Sequence, residues 1–191
     1  MKNSIKKLTA VLLVAFATFS FTTLDNDKPV NTSKSKIIWK GYKVTGSHEG
    51  TIAIKSGALS FDNDKLTGGS FTIDMTSINS TDLEGTYKNK LDGHLKSDDF
   101  FGVEKFPTAT LIFKSVKATG KNAYEVTGDI TIKGKTETIT FALSVYGSKA
   151  NANLKIDRTK FDVKYGSASI FDGLKDKAIY DEFDLVVDLE F

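Results

Sequence analysis

The chain has 191 residues, 40% of them hydrophobic and 26% charged, which suits one globular domain and excludes a disordered or collagen-like chain. Cysteine is absent, and that excludes disulfides, thiol catalysis and thiolate metal centres. The formal charge is +2, but three of the 26 basic residues (Lys2, Lys6 and Lys7) precede the first acid, and the other 23 face 24 acids; a near-neutral body lacks the electrostatic footprint of a nucleic-acid binder.

Residues 1–7 are basic, residues 8–21 are apolar with small residues interspersed, and residues 25–29 are polar. That is the order of a secretory signal peptide. The apolar run falls short of the ~20 residues a membrane span needs, and no second long run follows. The expectation is a signal peptide over residues 1–22, a polar leader over 23–35 and a barrel domain over 36–191. The mature chain is expected to be periplasmic or extracellular, without a transmembrane span.

From Lys36 onward the hydrophobic period is two. The first strand carries Trp39. Apolar parity flips across Ser56-Gly57, a signature of a β-bulge. Asp62-Asn63-Asp64-Lys65 then reads as a hairpin turn. One segment departs from the pattern. Leu83, Tyr87, Leu91 and Leu95 recur every four residues, so a helix is expected with these on one face. Thr81-Asp82-Leu83-Glu84 fits a capping box with Thr81 as N-cap.

Beyond the helix, Tyr124, Val126, Gly128, Ile130 and Ile132 alternate with polar residues. So do Ile139, Phe141, Leu143 and Val145, then Ala150, Ala152, Leu154 and Ile156. The last run is Phe183, Leu185, Val187, Leu189 and Phe191, with a further helical turn expected near Gly173. Gly120-Lys121-Asn122 and Gly134-Lys135 mark hairpins between them. One apolar and one wet face, repeated, indicates an antiparallel sheet. About eight long amphipathic strands avoid exposed edges by closing into a barrel, whose interior is packed solid or holds one small ligand. The fold class is therefore all-β, an eight-stranded antiparallel barrel with one or two short helices. Gly128, Ala150 and Ala152 lie on the inward face, where small residues leave room for a ligand or simply fit against the phenylalanines.

The inward positions most suited to touch a ligand are Trp39, Phe71, Ile73, Phe113, Val126, Gly128, Ile130, Phe141, Leu143, Ala152, Leu154, Arg158, Leu185 and Val187. Ionisable chemistry is thin. His48 and His94 are the only histidines and lack ligand spacing, so ordinary hydrogen bonding is expected of both. Asp98-Asp99 lacks a calcium-loop context and reads as loop or cap chemistry. No nucleophile motif or phosphate loop is present. No catalytic set, metal or cofactor is expected. Arg158 is the only arginine. Its parity points it inward near a barrel end, where a cation must be paired; Asp98, Asp99, Asp129 or the polar head of a ligand are the candidate partners, and a structural role is favoured.

Several segments together resemble the YceI family. The longest is His94-Leu95-Lys96-Ser97-Asp98-Asp99-Phe100-Phe101, followed by Val103-Glu104-Lys105-Phe106-Pro107-Thr108-Ala109-Thr110. Gly69-Ser70-Phe71-Thr72-Ile73-Asp74-Met75, the run from Val126 to Gly134, and Ile156-Asp157-Arg158-Thr159 agree in the same order. The chain departs from the family pattern at Glu49, Thr138 and Asp162, which bear on details of the loops and mouth only. The resemblance implies a lipocalin-like barrel, exported from a bacterium, that binds a polyisoprenoid or similar lipid in its interior. The expected function is thus an exported lipid-binding protein serving transport, storage or sequestration, with the apolar lipid as partner. The alternative is a structural or stress-related interaction barrel that binds no lipid. A third class, an isomerase or hydrolase, would need a buried ionisable pair that no spacing announces. A homodimer is compatible with this architecture.

Overall fold

In the computed structural model, which describes residues 27–191, the chain folds as a closed antiparallel barrel. The expected signal peptide lies outside the described residues. The strands are β1 (Asp27–Pro29), β2 (Lys36–Lys43), β3 (Gly46–Asp62), β4 (Lys65–Ser80), β5 (Thr108–Ala118), β6 (Ala123–Ile132), β7 (Lys135–Tyr146), β8 (Lys149–Asp157) and β9 (Ile179–Glu190), with one helix, α1 (Gly85–Lys96), between β4 and β5. From β2 to β9 each strand pairs with the next, and β2 pairs with β9 to close the ring. Eight strands thus form an up-and-down barrel without free edges. The short β1 lies in the segment expected as a polar leader and pairs with β3 at Ala58–Ser60.

Period-two patterning dictates the inside and outside. Along β6, Tyr124, Val126, Gly128, Ile130 and Ile132 are all buried, and along β8 so are Ala150, Ala152, Leu154 and Ile156. The Lys133-Gly134 turn has positive φ at both residues (50° and 73°), the geometry that joins tightly paired, right-twisted strands. The expected bulge is present. The β3–β4 register slips between Ile54↔Ile73 and Ser56↔Thr72, leaving Lys55 extra. A wider one sits in β4, where Met75, Thr76, Ser77 and Ile78 together face Ile52 alone. Asp74 organises it by accepting hydrogen bonds from the Thr76 amide (3.0 Å) and hydroxyl (2.6 Å). Those bonds from Thr76 hold the Asp74 carboxyl below the usual carboxylate range.

The two ends differ. One, the terminal end, carries β1, the C-terminus and the hairpins at 63–64, 119–122 and 147–148. It is closed by Phe61 and Phe191, whose rings lie 5.5 Å apart, with the Lys28 ammonium 4.6 Å over Phe61. The other, the helical end, carries α1, the following turn and the loop of residues 158–178. That loop begins with a 3-10 turn, Arg158–Phe161, and includes a second, Lys175–Lys177, where the sequence indicated a helical turn.

The helix corrects the capping-box expectation. It begins at Gly85, with Glu84 rather than Thr81 at the N-cap and no side-chain cap. Gly85 takes φ +56°, a left-handed conformation that glycine adopts freely, and this delays the start by one turn. Tyr87 is consequently 75% exposed, while Leu95 is buried. A polar clamp fixes α1 to the barrel instead. The Asp92 carboxylate accepts from the Ser80 amide (2.7 Å) and hydroxyl (2.8 Å), and Lys88 donates to Asp92 (2.9 Å) and to the Ser80 carbonyl.

The candidate ligand cavity and its mouth

An apolar cavity of about 170 Å³ runs from the barrel middle to the helical end. Trp39, Phe71, Ile73, Phe113, Ile130, Phe141, Leu143, Ala152, Leu154, Arg158, Leu185 and Val187 all line it. The strands bring them together because inward parity selects alternate residues, and register then sets them level; Trp39 faces Leu185 and Ala152 faces Val187. Phe113 joins Phe71 (5.7 Å, tilted) and Phe141 (5.8 Å, edge-to-face) into a row of rings. The Trp39 indole N–H donates to the Asn79 carbonyl at 3.2 Å, so its polar edge is satisfied while the ring faces the cavity. Gly50 makes that possible. It sits opposite Trp39, and a Cβ there would overlap the Asn79 carbonyl and come within 2.6 Å of the indole.

Two of the sequence-derived candidates lie elsewhere. Val126 is fully buried in solid packing and does not reach the cavity. Gly128 is likewise outside the lining, and its smallness serves a close strand approach. A Cβ there would meet the Ile112 carbonyl oxygen at 2.9 Å, where β5 bulges between Phe113 and Ser115.

Other lining residues were not singled out by parity. Ile52 and Ile54 precede the bulge in β3, and Met75 and Ile78 come from the wide bulge in β4, where a spacing of three breaks the period. Leu95, Phe100 and Phe101 come from α1 and the turn after it, forming a lid over the helical end. The family-like run that ends in Phe100-Phe101 was the sequence signal for them. Phe101 reaches Phe183 across the cavity at 6.5 Å.

Ionisable groups are confined to the rim. Apart from tyrosines, only Arg158 and Glu182 line the cavity. Arg158 is 2% exposed, and none of Asp98, Asp99 or Asp129 pairs with it. Its Nε donates to the Tyr180 carbonyl (3.0 Å), Nη1 to those of Val163 (2.8 Å) and Tyr165 (2.9 Å), and Nη2 to that of Ile179 (3.0 Å). Asp181 is its nearest carboxylate, at 3.7 Å. The guanidinium also lies 5.5 Å from the Phe100 ring centre, a cation–π distance. Burial pulls its pKa below the ordinary value, while Asp181 and Asp157 oppose that. For Asp181, burial raises the pKa, but hydrogen bonds from Ser167 and Ser169 and the Arg158 charge outweigh it and leave it below the usual range. Backbone carbonyls rather than carboxylates satisfy the arginine because the loop and the start of β9 bring four of them within reach of its fork.

The cavity opens at a slip in the ladder. Between Gly41↔Phe183 and Lys43↔Ile179, Tyr42 alone faces Tyr180, Asp181 and Glu182. Gly41, Tyr42, Ile179, Tyr180 and Glu182 line the mouth. Asp98 and the two histidines stand outside the cavity lining. His48 binds Asp82 at 2.7 Å, His94 packs its ring on Tyr165 (4.5 Å) and Phe100 (5.5 Å), and Asp98 pairs with Lys105 at 2.6 Å. Among the described residues no group of three or more His, Cys, Asp or Glu side chains could hold a metal ion.

An eight-stranded barrel with an apolar interior has relatives. The YceI-like domain model matches residues 29–191, nearly the whole described chain. The chain belongs to the YceI family. A UPF0312 protein from Pseudomonas putida is 33% identical over 98 residues, 51% of this chain and 49% of that one. A second, from Shewanella denitrificans, is 32% identical over 91 residues, 48% of this chain and 46% of that one. The chain thus spans about half the length of the curated relatives it matches. Among solved structures, BcnA of Burkholderia cenocepacia superposes with TM-score 0.66 at 27% identity, covering 84% of this chain and 98% of its own. A domain from Saccharophagus degradans, described as polyisoprenoid-binding, superposes with TM-score 0.59 at 15% identity, covering 86% and 96%; at that identity the likeness concerns the fold.

Proposed function

We propose that this YceI-family barrel binds one long apolar chain of polyisoprenoid type, as an exported carrier or store working in the periplasm or outside the cell. The observation that carries the reading is the cavity itself: an internal space of about 170 Å³ walled by aliphatic and aromatic side chains, with charged groups only at its mouth. Packed interiors leave few voids larger than a water molecule, and apolar cavities of ~150 Å³ stay dry and take up small hydrocarbons. Burial contributes ~0.8 kcal/mol per CH₂, so a few five-carbon units bring affinity to roughly micromolar without a head-group site. A longer chain enlarges the space by displacing pliant side chains such as Met75. The description of the Saccharophagus domain supports the ligand class.

The role is binding rather than catalysis, because a reaction would need ionisable groups converging on the cavity and the rim offers only Glu182 and an arginine held by four backbone carbonyls. Trp39, the only tryptophan, reports on occupancy. Delipidated protein titrated with geranylgeraniol should show a saturable change in Trp39 emission with a roughly micromolar Kd. A change linear in ligand, without saturation, contradicts the proposal.

A further inference from the structure

We propose that the helical end docks on a lipid bilayer, inserting Ile170 and Phe171, so that the mouth faces the membrane holding its cargo; this rests on the lipid-binding reading above. Among the described residues, Val44 (53%), Tyr165 (51%), Ile170 (42%), Phe171 (49%) and Tyr180 (57%) are exposed large hydrophobic residues on the mouth side of this end. Exposed apolar groups scattered singly are ordinary, whereas a gathered set marks an interaction surface.

The loop tip is held beside the mouth. The Ile179 amide donates to the Gly166 carbonyl at 2.8 Å, the Phe171 amide to Ser167 at 2.9 Å, and the Val44 amide to Ala178 at 3.2 Å. Ser169 reaches the Asp181 carboxylate at 2.5 Å. Ile179 and Tyr180, on the same stretch, line the mouth.

Charge favours an anionic lipid surface as the occupant. On the loop, Asp162 pairs with Lys164 at 2.7 Å, and Asp181 turns to Ser169 and Arg158. Asp172 and Asp176 remain against Lys160, Lys175 and Lys177, a small positive excess on the loop itself, and Glu182 at the mouth is drawn to Lys155 at 3.5 Å. An aliphatic and aromatic tip rimmed by tyrosine and lysine matches the membrane interface, where lysine stems lie along apolar surface and their heads reach water. The cargo also requires it, since a chain that costs ~0.8 kcal/mol per CH₂ in water passes poorly through solvent.

The absence of cysteine allows single-site labelling. Phe171→Cys and, at the terminal end, Lys121→Cys would each carry an environment-sensitive fluorophore on the full chain. The probes are vesicles of phosphatidylethanolamine with phosphatidylglycerol, and of phosphatidylcholine alone. The label at 171 should shift to the blue with vesicles, more strongly on the anionic ones, while the label at 121 stays unchanged. An Ile170→Ser/Phe171→Ser variant should weaken that docking about tenfold or more. A shift at 121 alone, no shift at either site, or a shift at 171 that follows protein concentration without vesicles and so marks a second copy, overturns the proposal. Organic extraction of the same samples separates the two claims. A lipid-filled barrel without insertion defeats docking alone, and insertion with a barrel that never takes up lipid defeats the cargo reading alone.

Discussion

Replacing Arg158 by lysine tests whether the guanidinium is a brace or a ligand contact. The side chain is 2% exposed and donates to four backbone carbonyls, of Val163, Tyr165, Ile179 and Tyr180. An ammonium is a point donor and cannot reproduce the planar fork, so about two of these carbonyls lose their partner. Hydrogen bonds to charged groups contribute ~1.5–3 kcal/mol each, giving a loss of roughly 3–6 kcal/mol. For a chain of this size each kcal/mol lowers Tm by roughly 2–4 °C, so thermal unfolding followed by circular dichroism should move down by roughly 6–24 °C. Lipid content and head-group preference of the folded variant should stay as in the parent, because every guanidinium nitrogen already faces the protein. An unchanged Tm together with an altered preference for phosphorylated over neutral prenyl lipids would refute the bracing role.

Gly50→Ala should destabilise by roughly 1–3 kcal/mol, as overpacking does, because its Cβ meets both Trp39 and the Asn79 carbonyl; urea denaturation read by Trp39 emission checks it, and an unchanged midpoint would contradict the close approach. Asp92→Asn should cost roughly 1–3 kcal/mol at neutral pH. Burial raises the Asp92 pKa, but Lys88 and Ser80 outweigh it and hold the carboxyl below its usual range; its stabilisation is therefore present above the ordinary carboxylate pKa and lost as pH falls through the lowered one. The stability gap between parent and variant, measured by denaturant melts across pH, should close in acid, and a gap that persists there would refute the clamp. Ala152→Phe should place a ring in the cavity, where the void absorbs much of the overpacking, and so block prenyl-alcohol uptake while the barrel still folds. Undiminished uptake would locate the ligand elsewhere.

The barrel was legible because inward and outward residues alternate regularly over β6 to β8 and most of β9, and a closed sheet leaves no exposed edge on such strands. The bulge at Ser56-Gly57 was legible for the same reason, since a lost parity has few other causes. The start of α1 was not, because Thr81 to Glu84 fits a cap locally, whereas the left-handed Gly85 and the Lys88–Asp92–Ser80 clamp depend on where β4 ends. Gly128 reads in sequence as a gap on an inward face, and nothing there singles out Gly50. Only the register shows that one admits the Ile112 carbonyl and the other the Trp39 ring. Parity placed Arg158 inward, but its partners are carbonyls up to 22 residues away that no pattern of charged residues announces.

The central claim is that the barrel carries an apolar lipid, and the most direct measurement is mass spectrometry of the organic extract of protein purified from its native host. A single class of polyisoprenoid-type species, near one per barrel in the parent and depleted in Ala152→Phe, is the expected result. A folded parent barrel whose extract holds no apolar lipid would contradict it.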